Sequence, residues 1–244
     1  MLRNSDPNDP EQSFEIELTA PQYRLVTTSK RFPAFVAGFG SGKTAALIER
    51  CIYYKFKYPT LNVGYYLPTF GLVRKIAFPR FTARLMAMGL KPKRDFRVIK
   101  SPDAKIEIVG CGEIIFGSMD TPDLIIGYEI ADAFLDELDT LKPLDASQIW
   151  KKILARNRQK KPDGTKNTMA VGTTPEGFRF VYEQWQKEPP SDDYELIQAS
   201  TYSNQYNLPV DYIPDLLAAY PSNLISAYIE GQFTNLTSGS VYAL

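Results

Sequence analysis

The sequence predicts an α/β fold, a mostly parallel sheet covered by helices on both faces, and three observations carry the prediction. Short apolar runs are separated by segments of helical periodicity along most of the chain. The first of those runs, "RFPAFVAG", closes on glycines and passes directly into "KTAALIERCIYYKF", giving strand, glycine-rich turn and helix in that order. With 244 residues, 44% of them hydrophobic, the chain can bury one substantial core and still carry a small appended subdomain.

Residues 1–17 are polar and contain Pro7 and Pro10, the composition of a flexible leader. "LTAPQYRLVTTS" reads as a short helix with Thr19 as N-cap and Pro21 in its first turn. After the first strand and helix come a strand at "LNVGYYL" and a helix at "TFGLVRKIAFPRFTARLMAMG", disturbed near Pro79. "KIEIVGCGEIIFGS" alternates and turns at Gly110 to Gly112, as a hairpin does. "IADAFLDE" is an apolar strand that ends in acid. A helix at "DASQIWKKILARNRQ", a polar turn at "KKPDGTKN", a strand at "TMAVGTT", a helix at "GFRFVYEQWQK" and a strand at "YELIQAS" complete a core over residues 18–200. Residues 201–234 hold two short helical patterns broken by Pro209, Pro214 and Pro221, the texture of a helical lid, and 235–244 read as a linker.

Composition removes several kinds of chemistry. There is no histidine, so His-based triads, His-ligated zinc and His general bases are excluded. Cys51 and Cys111 stand apart from each other and from any metal-ligand spacing. Lys plus Arg and Asp plus Glu both total 28, so any contact with a polyanion rests on local patches. No apolar run approaches the length of a membrane span and the first residues lack a signal-peptide pattern, which leads us to expect a cytoplasmic chain.

The glycine-rich turn is "AGFGSGKT", residues 37–44. A phosphate cradle needs glycines so that successive backbone N–H groups can face anionic oxygens, and a helix N-terminus directly after them. Gly38, Gly40 and Gly42 meet the first need, and Ala37, Phe39 and Ser41 complete the loop. Lys43 adds charge for the β and γ phosphates, and Thr44 offers a hydroxyl to a magnesium ion. Alanine stands at the first position, where the strict pattern has glycine. At the end of "AFLDE", Asp136 suits a magnesium ligand acting through water and Glu137 a base that polarises the attacking water. The same acids also suit the start of a helix at "DELDTL". In "VGTTPEG", Thr173 and Thr174 can report loss of the γ phosphate, or simply end a strand. Gln22 can read an adenine edge, or stand as an ordinary helix glutamine.

The ordered set "LTAPQ", "AGFGSGKT", "GSMDTPDLIIG", "FLDE", "VGTTPEG" and "TYSNQYNLPVDYI…YIEGQF" resembles the ATPase domain of tailed-phage terminase large subunits, over residues 18–233. The resemblance implies a RecA-like P-loop NTPase with a lid subdomain, binding ATP with Mg2+. It implies Gln22 in the adenine motif, Lys43 and Thr44 in Walker A, and Asp136 and Glu137 as Walker B acid and catalytic base. Thr173 and Thr174 fall in the coupling motif, and Asn204 and Asn207 at the lid edge. The partners it implies are double-stranded DNA, the portal protein, the small terminase subunit and, when assembled, sister copies in a pentameric ring, with a monomer expected for the isolated chain, in the host cytoplasm at the procapsid portal. "GSVYAL" resembles the point where a nuclease domain starts, which implies a piece competent for ATP and not for cutting. A superfamily-2-like helicase core shares the glutamine, P-loop and "DE" motifs, and a module that binds ATP only to set subunit contacts shares the P-loop.

Two departures affect the arginine finger. Many relatives carry arginine where this chain has Phe39 and Ile126. Arg156 and Arg158 follow the acidic motif and are the first candidates to replace them, with Arg74, Arg80 and Arg179 behind. Lys151, Lys152, Arg156, Arg158, Lys160 and Lys161 form the densest basic stretch, fit either for DNA phosphates or for a solvated helix face.

Overall fold

The computed structural model describes residues 16–236. The leader expected over 1–17 and the linker expected over 235–244 therefore lie almost wholly outside the described residues. Eight strands form one sheet: β1 (Phe32–Ala37), β2 (Val63–Leu67), β3 (Phe96–Ile99), β4 (Lys105–Ile108), β5 (Glu113–Ser118), β6 (Asp132–Asp136), β7 (Met169–Thr173) and β8 (Tyr194–Ala199). Their order is β3-β4-β5-β2-β6-β7-β1-β8. The run from β5 to β8 is parallel, and β3 and β4 extend it as an antiparallel edge. The hairpin expected around Gly110 to Gly112 is the β4–β5 pair. Strand β3 was not read from the sequence, because "FRVI" is short and flanked by basic residues on a half-exposed edge.

Every residue of β1, β2, β6 and β7 is buried, as befits central strands with helices on both faces. Alternate residues divide the core in two. Phe35, Tyr65 and Phe134 face α2 (Lys43–Lys57), through Leu47 and Cys51, and α4 (Phe78–Ala87), through Phe78, Phe81 and Leu85. Val36, Ala133, Leu135 and Val171 face α5 (Pro143–Arg156), through Ile149, Trp150 and Ile153. Each large apolar side chain sealed in this way contributes about 1.5–3 kcal/mol.

Proline explains the first of two irregular helices. The helix expected over 69–89 is α3 (Phe70–Leu72), a single π-turn (Val73–Ala77) and then α4. Pro79 lacks an N–H and its ring opposes the carbonyl of residue 75, so the ladder widens just upstream, where the Phe78 N–H donates to the Val73 carbonyl. The helix expected over 177–187 begins only at α6 (Phe180–Tyr182) and continues as a π-turn (Glu183–Lys187). Residues after Ala199 form 3-10 turns over Thr201–Asn207, then α7 (Tyr212–Ala219) and α8 (Ser222–Tyr228). Pro214 does not break a helix as expected. It sits in the first turn of α7, where a missing N–H costs nothing.

Two buried cations fix the frame. Arg50 of α2 is fully buried and donates to the carbonyls of Leu25, Val26, Thr28 and Lys30, at 2.7 to 3.4 Å. It thus pins the end of α1 (Ala20–Thr27) and the approach to β1 against α2. Lys161 pairs with Asp132 at 2.7 Å, both side chains sealed from solvent, over the rings of Tyr54 and Tyr58. Burial pushes the lysine pKa down and the aspartate pKa up, and their attraction opposes both shifts.

This corrects the reading of the basic stretch, since Lys161 is unavailable to DNA. Lys152 pairs with Asp123 and Arg158 with Glu129, which leaves Lys151 and Lys160 as its exposed lysines without an ion pair among the described residues. Replacing Lys161 by Met strands a buried carboxylate. We expect a loss of about 3–5 kcal/mol in urea denaturation at neutral pH, against less than about 0.5 kcal/mol for Lys160→Met.

Candidate functional site

The turn after β1 owes its shape to partners that hold its carbonyls. Lys43 Nζ donates to the Ala37 and Gly38 oxygens at 3.1 and 3.0 Å. Thr201 Oγ1 donates to the Phe39 oxygen at 2.7 Å, Asn204 Nδ2 to Gly40 at 2.7 Å and Gln22 Nε2 to Ser41 at 2.9 Å. The Gly42 carbonyl takes the Ala46 N–H within α2. Three of these peptides use their N–H within the fold, Gly38 on the Ala199 carbonyl, Phe39 on Tyr228 and Ser41 on Gly38, so the groups left to face an anion are the Gly40 and Gly42 N–H groups and the free first turn of α2. Gly40 and Gly42 have φ of 72° and 81°, and a Cβ on Gly42 would run into the Gln22 amide.

Gln22 is therefore tied into the fold. Its Oε1 accepts the Thr19 N–H at 3.0 Å as part of the cap on α1, and one Nε2 hydrogen goes to Ser41. One Nε2 hydrogen is without a partner among the described residues. Asn207 Nδ2 donates to Asn204 Oδ1 at 2.9 Å, orienting the amide that holds Gly40. Phe39 packs its ring on Tyr228 at 4.7 Å and gives its N–H to the Tyr228 carbonyl at 2.6 Å.

Strand β7 lies between β1 and β6, so three strand ends converge at one edge. Thr44 Oγ1 donates to Asp136 Oδ2 at 2.8 Å, and Tyr65 Oη to the same oxygen at 2.9 Å. Asp136 is fully buried, and its Oδ1 has no partner among the described residues. Burial, and then the neighbouring Glu137 charge, push its carboxyl up to about 7, with the Thr44 and Tyr65 hydroxyls and Lys43 opposing. Burial pushes the Tyr65 hydroxyl pKa well up, keeping it a donor, and lowers that of Lys43.

Glu137 is left-handed, φ 59°, a conformation that costs a side-chain-bearing residue about 1–2 kcal/mol. Its N–H is held by the Gly172 carbonyl at 2.6 Å, and its Oε2 accepts the Thr174 N–H at 3.2 Å. The turn over Leu138–Thr140 is the helix start that "DELDTL" also suggested.

Asp139, not singled out from sequence, is buried and accepts the N–H groups of Glu176 and Val181 at 3.1 and 3.2 Å. Its own N–H goes to Thr173 Oγ1 at 3.2 Å. It welds the acidic strand end to the loop after β7. Thr173 is thus occupied structurally, while Thr174 Oγ1 is buried without a partner among the described residues.

Arg156 and Arg158 are not at this site. The Ile130 N–H donates to the Arg156 carbonyl at 3.0 Å, and Ile130 bridges Asn157, which puts both arginines beside the start of β6. Asp136 lies six residues further along an extended chain, about 20 Å away, beyond the reach of an arginine side chain within one molecule. Arg74 covers the Phe70 ring at 4.9 Å, and Arg80 is exposed without an ion pair among the described residues. Arg179 is on the site's side, its Nη1 donating to the Asp139 carbonyl at 3.4 Å.

The family described as terminase large subunit, T4-like-virus type, N-terminal, matches residues 34–244. Comparison with curated protein sequences gives no match. Among solved structures, the large terminase of the thermophilic bacteriophage D6E superposes with a TM-score of 0.72 at 16% identity, over 90% of this chain and 54% of that one. The same D6E protein in complex with ADP gives 0.70 at 18% identity, over 89% and 54%. The Thermus phage P74-26 large terminase ATPase domain gives 0.62 at 17% identity, over 91% and 95%. The chain thus spans about half the length of the D6E protein and nearly all of the P74-26 domain. The fold is that of a P-loop NTPase.

Two outcomes follow from this geometry. Removing a tether frees a carbonyl to turn inward, so Asn204→Ala and Gln22→Ala should each weaken ADP binding about tenfold by calorimetry, with Asn223→Ala as an unaffected control. Asp136 carries a raised pKa in the fold, so ionising it costs stability from about pH 4 upward and the full cost stands above about pH 7. Asp136→Asn should therefore stabilise the metal-free protein at pH 8 by about 1–2 kcal/mol and have little effect at pH 4, read by thermal melting.

Proposed function

The chain belongs to the terminase large-subunit N-terminal family of the T4-like-virus type, and from that premise we propose that it is an ATP-hydrolysing motor domain that drives double-stranded DNA into a procapsid. The observation that carries the proposal is the meeting of a fully tethered phosphate cradle with the Asp136–Glu137 pair at one sheet edge. The amides of the cradle and the Lys43 ammonium bind and orient the triphosphate. The residues also suit Mg2+: a hard cation takes oxygen ligands, Thr44 offers its hydroxyl, and the unpartnered Asp136 Oδ1 calls for a donor such as a metal-held water. When bound, Mg2+ neutralises charge on the β and γ oxygens.

Glu137 then holds a water at the γ phosphate and takes its proton. Its link to the Thr174 N–H ties that base to the loop that Asp139 organises, so a change at Thr174 Oγ1 on phosphate release reaches Asp139 and the turn behind it. Gln22 offers its remaining N–H to the adenine. The cation that stabilises the transition state comes from a neighbouring copy in the ring, or in cis from Arg179 or Arg80, on the working assembly with portal and small subunit in the host cytoplasm. Arg156 and Arg158 can serve only in trans.

Glu137→Gln should keep ATP affinity within about twofold and lower single-turnover hydrolysis by about a hundredfold or more. Persisting hydrolysis would remove Glu137 as the base. Absence of phosphate release from the unaltered protein, with and without DNA and at concentrations that assemble it, would favour a module that uses ATP only to set subunit contacts.

A further inference from the structure

Tyr65 is a fully buried side chain whose hydroxyl serves one partner, Asp136 Oδ2, at 2.9 Å. Its ring meets Phe81 edge-on at 5.0 Å and Phe116 at 6.2 Å, contacts that phenylalanine would make equally well. Packing therefore accounts for the ring and not for the hydroxyl. The register explains how the hydroxyl arrives. Tyr65 of β2 pairs with Phe134 of β6, and Asp136 lies two residues further on the same face, within reach of a long aromatic side chain along the diagonal.

Two hydroxyls, Thr44 on α2 and Tyr65 on β2, thus grip one oxygen of the carboxylate from different elements, while Oδ1 is unpartnered and has the side-chain-free Gly172 beside it. A single hydrogen bond leaves a carboxylate free to rotate about its bond to Cβ. Two donors converging on Oδ2 fix which oxygen is offered to a ligand.

We propose that Tyr65 is a positioning residue for the divalent cation of the nucleotide site, holding the Asp136 carboxylate so that Thr44 and Oδ1 are presented together. This rests on the metal site proposed above. Partners in a metal's outer shell of this kind alter affinity by about tenfold or more when removed.

The test uses Mn2+ as probe, read by electron paramagnetic resonance with ADP present, on the unaltered protein and on Tyr65→Phe. We expect Tyr65→Phe to bind Mn2+ about tenfold more weakly while its ADP affinity in EDTA is unchanged. Equal Mn2+ affinity in the two proteins overturns the inference and leaves the metal site standing. Equal losses of Mn2+ and metal-free ADP affinity overturn it too, since the hydroxyl would then be supporting the whole site. Failure of the unaltered protein to bind Mn2+ with ADP overturns the metal site itself. Should Tyr65→Phe not fold, 3-fluorotyrosine at position 65 keeps ring and hydroxyl. Its fluorine resonance in the ADP complex should move on adding Mg2+, and an unmoved resonance overturns the inference.

Discussion

Everything the site can do depends on the orientation of five peptide groups. The carbonyls of Ala37, Gly38, Phe39, Gly40 and Ser41 are each held from behind by a side chain, and the holders come from α1, from the first residue of α2 and from the turns after β8. A glycine-rich turn without such partners samples many conformations and pays an ordering cost when it binds an anion. Here the cost is met on folding. It explains why Gln22 is buried and why Arg50, far from any phosphate, matters: by pinning the end of α1 it places the helix that carries Gln22.

The sheet order supplies the second constraint. Because β7 is inserted between β1 and β6, its end lies between the cradle and the acids and can touch both sides. Gly172 touches both acids in that arrangement. Its carbonyl holds the strained Glu137 backbone, and its missing side chain leaves room next to Asp136 Oδ1. The left-handed turn at Glu137 redirects the side chain out of the alternation of β6, which lets one acid stay buried beside Thr44 while the next reaches Thr174. Adjacent carboxylates in a regular strand would point to opposite faces.

Much of this was legible in the sequence, because the cradle and the acidic strand end are local patterns with short-range causes. The apolar runs gave the central strands for the same reason. What escaped were contacts between distant residues. Asp139 is an ordinary acid in "DELD" until its carboxylate is seen to accept amides some forty residues further on. Thr201 and Asn204 act on residues more than a hundred and sixty positions earlier. Arg156 and Arg158 misled through proximity in sequence. α5 returns beside β6, so a residue soon after the acids in the chain ends at the opposite edge of the sheet.

Phe39 joins these threads. Its ring lies against Tyr228 and near Tyr220, and its N–H and carbonyl are both taken by the segment beyond β8. At this position, where the resemblance to terminases leads one to expect arginine, the chain has an aromatic residue held by the segment beyond β8. In the function proposed above, a lone copy carries the cradle and Glu137, and the charge that speeds cleavage is supplied by another part of the molecule or by a neighbouring copy.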